Sequence, residues 1–192
     1  MKDLTQALHE IAHMFESLSA CYAVMGGLAV RIHGIPRPTH DIDFTAALPR
    51  ESLHEFFDLA AKAGYTVPEP YLRGWIDHVA NMPLVKIRLY LEDHGIDVDI
   101  FLAESEFQAS LLARRRREGL EGGSIWIVSP EDLILLKLIA GRPRDLLDVQ
   151  DILFTQGQLD ETYLRRWAVE LGVSDRLGES LRDHSDAQAG AG

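Results

Sequence analysis

The order of elements predicts an α/β chain of the α+β kind: a mixed β-sheet core followed by a helical C-terminal part. Two observations carry that expectation. Short apolar runs alternate with helical periods up to Val128, and everything after Ser129 reads as helix alone. Two Asp-x-Asp pairs, Asp41/Asp43 and Asp97/Asp99, interrupt two of the apolar runs and place carboxylates two residues apart, hence on one side of a strand.

Leu4, Leu8, Ile11, Phe15 and Leu18 recur at helical spacing, so residues 3–19 are expected as an amphipathic helix. Tyr22–Met25 is a buried strand stopped by Gly26-Gly27, and Leu28–His33 is a short helix ended by Gly34 and the Pro36/Pro38 pair. Asp41–Thr45 is the next strand and Leu53–Ala63 a helix closed by Gly64. Residues 65–82 lack periodicity and read as irregular. Val85–Leu91 and Ile96–Leu102 form a hairpin around Glu92-Asp93-His94-Gly95. Glu106–Glu118 is helical and Ile125–Val128 a last strand. Ser129-Pro130-Glu131-Asp132 is a strong helix start, with Ser as N-cap and acids at the positive dipole end; that helix runs to about Ala140. Leu146–Thr155 and Glu161–Leu171 complete the helices. The domain boundaries that result are 1–128 for the core, 129–175 for the helical part, and 176–192 for a disordered tail of small and polar residues.

The 192-residue chain is 46% hydrophobic and 26% charged, ordinary for a soluble globular protein. No window reaches the roughly 18 apolar residues of a membrane span. The N-terminus carries acids and a helical period, unlike a signal peptide. The single cysteine, Cys21, rules out an intramolecular disulfide and fits a cytoplasmic setting; beside Tyr22 it reads as a core residue. Nineteen basic against thirty acidic residues give a net charge of −11, which disfavours broad nucleic-acid binding through phosphate neutralisation. The one dense positive run, Arg114–Arg117, reads as a solvated helix end, with a phosphate- or RNA-facing role as the minority reading.

Two anions two residues apart repel unless a cation sits between them. If the two Asp-x-Asp strands are neighbours, three or four carboxylates meet on one patch. Hard oxygen donors in that number suit Mg²⁺ or Mn²⁺, which also bind substrate phosphates. The Gly26-Gly27 turn, with a helix behind it, offers backbone amides to phosphate oxygens. Arg37 and Thr39, just ahead of Asp41, either reach a triphosphate or position the Pro36–Pro38 loop. His33 and His40 have no ligand partners at helical spacing and read as surface or loop histidines. Lys137 lies in the apolar helix LILLKLIAG, where its ammonium must snorkel or find an anion. Arg142, Arg144, Asp145 and Asp148 can equally form an ordinary ion network. Trp75, Trp126 and Trp167 are scattered and read as packing residues, not as a base-stacking platform.

The joint pattern of GGLAVRIHGIPRPTHDIDF, a later apolar-Asp-apolar strand and SPEDLILLKLIAGRPRDLLDVQDIL resembles the polymerase-beta-like nucleotidyltransferase superfamily, in its bacterial AbiE-toxin-like branch of small abortive-infection proteins. The resemblance covers roughly residues 20–155 and implies a nucleotidyltransferase core. It implies a Mg²⁺-dependent enzyme that moves a nucleoside monophosphate from a triphosphate to an acceptor hydroxyl. That acceptor would be RNA or transfer RNA, a protein or a small molecule, and the setting a toxin with an antitoxin partner. Gly26 and Gly27 then match the phosphate-binding glycines, Asp41 and Asp43 the metal ligands, and Asp99 the third carboxylate that activates the acceptor, with Asp97 as its alternative. Lys137 and Asp148 match the downstream motif implicated around the nucleotide. Where superfamily members often carry Ser or Thr after the glycines, this chain has Leu28, which removes a phosphate contact. A module that keeps the fold and binds nucleotide or a partner protein without turnover is the alternative.

Overall fold

A computed structural model describes residues 3–92 and 94–190. The chain divides into two compact units: residues through Leu28 together with Pro38–Val128, and Ala29–Arg37 together with residues from Ser129 onward. Residues 29–37 thus fall with the helical unit.

The first unit carries α1 (Leu4–Ser17), β1 (Tyr22–Met25), the start of α2 (Gly26–His33), β2 (Asp41–Ala46) and α3 (Leu53–Lys62). It continues through β3 (Tyr65–Thr66), α4 (Glu69–Leu72), β4 (Asp77–Val79), β5 (Met82–Tyr90), β6 (Gly95–Leu102), α5 (Glu106–Arg114), β7 (Arg116–Leu120) and β8 (Gly123–Ile127). Asp3 caps α1, its carboxylate accepting from Gln6 N at 2.8 Å. The sheet order is β3-β5-β6-β2-β1-β8-β7, with β4 paired on β5. β2 runs parallel to β6 and antiparallel to β1, and β1 runs parallel to β8. The sheet is therefore mixed, as expected.

Alternation along β2 sends Phe44 to one face and Asp43 and Thr45 to the other. On the Phe44 face α1 and α3 pack through aromatic rings: Phe15 lies 5.2 Å from Phe44, 5.2 Å from Phe56 and 5.5 Å from Tyr22, centroid to centroid. Phe15, Phe44 and Phe56 are completely buried. On the other face α5 packs through Gln108, whose Nε2 donates to the Leu102 carbonyl at 3.0 Å and to Thr45 Oγ1 at 3.4 Å.

Several local expectations differ from the structure. Residues 65–82, read as irregular, hold the one-turn helix α4 and the short strands β3 and β4, which gain regularity by pairing with β5. Helix α5 stops at Arg114, and Arg116–Leu120 pair with β8 as an edge strand; the arginine run is a helix-to-strand junction, not a helix end. Cys21, read as core, is exposed, because it precedes β1 and Tyr22 takes the inward position. The hairpin of β5 and β6 forms, its turn closed by Leu91 N donating to the His94 carbonyl at 2.8 Å; Asp93 lies outside the described residues.

The second unit comprises the rest of α2, then α6 (Pro130–Ala140), α7 (Pro143–Thr155), α8 (Glu161–Glu170) and α9 (Ser174–Gly190). Ser129 caps α6, accepting from Asp132 N, and Gly141 ends it in the left-handed conformation with φ 63°. The tail expected to be disordered forms α9, whose first turns are held: Leu177 is 2% exposed, and the Ser180 carbonyl accepts from Gln150 Nε2 at 3.1 Å. Residues 191–192 lie outside the described residues. His33, read as a surface histidine, is buried, and its carbonyl accepts from Gln156 Nε2 at 2.8 Å.

A buried ion network runs through this unit. Lys137 Nζ lies 3.0 Å from Asp145 Oδ1 and 2.7 Å from Asp148 Oδ2; Arg37 pairs with Asp148 through two contacts of 2.9 Å, and Arg142 Nε reaches Asp145 at 2.6 Å. Lys137, Asp145 and Asp148 are each at most 6% exposed. Burial pushes both carboxyls up. Hydrogen bonds and charge from Arg37 and Lys137 (for Asp148), and from Arg142 and Lys137 (for Asp145), outweigh it and hold both below the ordinary range.

Phe15→Ala is expected to cost about 3–5 kcal/mol, read by denaturant unfolding, because it empties the centre of an aromatic cluster. Acid exposes the ion network. With folded values below the unfolded ones, the unfolded chain takes up protons first as pH falls through the carboxylate range near about 3.9, so stability present above that range is lost below it. Unfolding midpoints measured from pH 6 downward, at steps of roughly one unit, are expected to fall less steeply in Asp148→Asn than in wild type.

Candidate active site

The first unit gathers Gly26, Gly27, Thr39, Asp41, Asp43, Asp97 and Asp99 at one end of its sheet. Register does most of the work. β2 and β6 are parallel neighbours that place Asp41 opposite Asp97 and Asp43 opposite Asp99, and Asp43 also pairs with Met25, the residue before Gly26. Both Asp-x-Asp pairs therefore share one face.

The two glycines have a steric role that the sequence did not reveal. Gly26 sits at φ 63°, and a Cβ built there would lie 1.8 Å from Asp43 Oδ2; a Cβ at Gly27 would lie 2.6 Å from Thr39 Oγ1. The missing side chains make room for the Asp43 carboxylate and for the Thr39 hydroxyl, which donates to Asp41 Oδ1 at 2.6 Å. Leu28 follows as the third residue of α2 and is half-buried.

Sequence reasoning missed Lys86. From β5 its Nζ reaches both oxygens of Asp99, at 2.9 and 2.7 Å, and Arg88 lies 3.4 Å from Asp97. The alternation Lys86-x-Arg88 facing Asp97-x-Asp99 across a hairpin was the signal that could have found both. It also missed Asp77, which accepts from Tyr71 Oη at 2.5 Å and from Trp75 Nε1 at 2.8 Å. Those two hydrogen bonds lead the causes that hold its carboxyl below the usual range.

Arg37, Lys137 and Asp148 come together within the helical unit, locked to one another. Lys137 has thus found anions; its ammonium is shared by two buried carboxylates rather than presented to solvent.

Among the described residues, no three His, Cys, Asp or Glu side chains converge as a ready-made metal cluster. The donor set nonetheless suits a hard divalent cation: aligned carboxylates on one face, in a number that substrate phosphate oxygens would complete, as is usual for Mg²⁺. No helix among the described residues is long and apolar enough to cross a membrane.

The fold is shared with solved nucleotidyltransferase structures. The lincosamide antibiotic adenylyltransferase LnuA, solved with lincomycin bound, aligns at TM-score 0.52 and 16% identity over 78% of this chain and 96% of that one. ANT(2″)-Ia, solved with adenylyl-2″-tobramycin, aligns at 0.53 and 14% over 86% and 94%. An antigenic nucleotidyltransferase-like protein from Paracoccidioides brasiliensis aligns at 0.51 and 17% over 92% and 91%. No curated protein matches the chain. The model of one family, described as nucleotidyl transferase AbiEii toxin of the type IV toxin–antitoxin systems, spans residues 12–188. With that much of its length accounted for, the chain belongs to the AbiEii family of nucleotidyltransferase toxins.

Proposed function

We propose that this nucleotidyltransferase uses the carboxylate face of β2 and β6 to move a nucleoside monophosphate from a triphosphate to an acceptor hydroxyl, with Mg²⁺ or Mn²⁺ as cofactor. The observation that carries the reading is the register that sets Asp43 beside Asp99, with Gly26 clearing space for the Asp43 carboxylate. Asp41 and Asp43, with Asp99, would hold the metal, which when bound supplies charge neutralisation for the phosphates. The amides at the start of α2 are proposed to face phosphate oxygens. Thr39 orients Asp41 through its hydroxyl.

The chain's own chemistry centres on Asp99. Its carboxylate accepts the proton of the acceptor hydroxyl; the acceptor oxygen bonds to the α-phosphorus as the bond to the bridging oxygen breaks, and pyrophosphate leaves. Lys86 holds both oxygens of Asp99 and so fixes the orientation of its carboxylate. Asp97 lies one pleat further out and has only the looser contact to Arg88. Arg37, Lys137 and Asp148 are proposed to support nucleotide binding through the order they impose on the segment leading to Thr39 and Asp41. Adenylyl transfer to hydroxyl-bearing small molecules, named for the LnuA and ANT(2″)-Ia structures, supports a hydroxyl as the accepting group. Membership of a toxin family of the type IV toxin–antitoxin systems supports an antitoxin as partner; the acceptor is proposed to be RNA or protein.

A second reading, nucleotide binding without turnover, is favoured by Leu28, which brings no hydroxyl to a phosphate, and by the engagement of both Asp99 oxygens with Lys86. Calorimetry with triphosphate, beside a transfer assay, separates the two: binding without transfer to any acceptor favours the module.

With labelled triphosphate and Mg²⁺, Asp99→Asn is expected to lower transfer about 10²–10⁴-fold, the span typical of a lost general base. Asp97→Asn should retain most of it; the reverse order would assign the base to Asp97. Robust transfer by Asp43→Asn would sink the metal-face mechanism. Gly26→Ala is expected to abolish transfer while thermal melting shows a folded protein, because its methyl group displaces the Asp43 carboxylate.

A further inference from the structure

The arginine run has a different setting from the one its sequence suggested. Arg117 on β7 pairs with Trp126 on β8. The Arg117 guanidinium lies 5.6 Å from the Trp126 ring centroid and that of Arg115 lies 4.5 Å from it, so two cations share one indole. Their other partners are neutral: Arg117 Nε donates to Ser124 Oγ at 2.7 Å and Arg115 Nη1 to the Leu112 carbonyl at 2.5 Å. Neither makes an ion pair among the described residues. Arg117 is exposed and β7 is the edge of the sheet.

Register relates this strip to the carboxylates. Ile127 aligns with Val24, and Val24 pairs with Phe44, so these three side chains share the aromatic-core face. Trp126 and Arg117, one step along their strands, fall on the opposite face, which is that of Asp43 and Asp99. The next residue of β7, Glu118, is directed away from it. Three inter-strand steps separate β7 from β2, about 14 Å across the sheet. Arg115 lies a step nearer than Arg117 to the end of the sheet where the carboxylates stand.

We infer that Arg115, Trp126 and Arg117 form a docking strip for the backbone and a base of single-stranded RNA. Guanidinium groups in a fixed orientation suit phosphate oxygens, and the indole beside them offers an aromatic surface to a base. Charge complementarity favours this occupant: the rest of a chain with net charge −11 repels a polyanion, so binding must concentrate where uncompensated cations cluster. The inference rests on the transferase reading only in making that RNA the acceptor.

The test measures affinity for a short fluorescent single-stranded RNA across a salt series, beside triphosphate binding by calorimetry. Arg115→Gln with Arg117→Gln should weaken RNA binding at least tenfold at low salt. It should also reduce the slope of log affinity against log salt by about 1.4, two phosphate contacts at roughly 0.7 each, with triphosphate binding unchanged. Arg117→Lys, which keeps the charge, should retain the slope. An unchanged slope in the folded double variant, an equal loss in Arg117→Lys, or wild-type protein that binds an acidic peptide but not RNA would each overturn the strip. Failure of triphosphate binding with RNA binding intact would instead overturn the transferase reading and leave the strip standing.

Discussion

Four aspartates side by side on two parallel strands repel one another, and the first unit is arranged around holding them there. The parallel register of β2 and β6 aligns them in two rows. Lys86 and Arg88 on β5 offset the β6 pair, and Thr39 ties down Asp41. Gly26 yields the volume that Asp43 occupies. The apolar burial that holds the sheet comes from its reverse face, through the aromatic packing of Phe15, Phe44 and Phe56.

The helical unit solves a related problem by burial. Lys137 alone in an apolar helix would be prohibitive; two carboxylates from α7, themselves held by Arg37 and Arg142, make a network in which each charge has a partner. Asp148 also determines where Arg37 goes, and Arg37 stands a few residues ahead of Asp41 in the chain.

Much of this was legible. Tyr22–Met25 was read to the residue, Ser129 announced the start of α6 and its end was placed at about Ala140, and the hairpin and mixed sheet followed from apolar alternation and turn residues. Elements that depend on a distant partner were not legible. The strands within residues 65–82 exist because β5 supplies a ladder, and β7 exists because β8 does; four arginines in a row otherwise read as the continuation of a helix. Cys21 and His33 were misplaced for the same reason, since a single position at the margin of an element takes its burial from what lies across from it.

By itself the sequence determined the element types, the two Asp-x-Asp pairs and the family pattern, because hydrophobic period, caps and residue chemistry are local properties of the chain. Only the tertiary structure decided that Asp43 stands beside Asp99, that Lys86 neutralises Asp99, that Gly26 is needed for clearance, and that Arg115 and Arg117 share Trp126 on the carboxylate face. Each of these depends on strand register, and register is set by pairing between segments far apart in sequence.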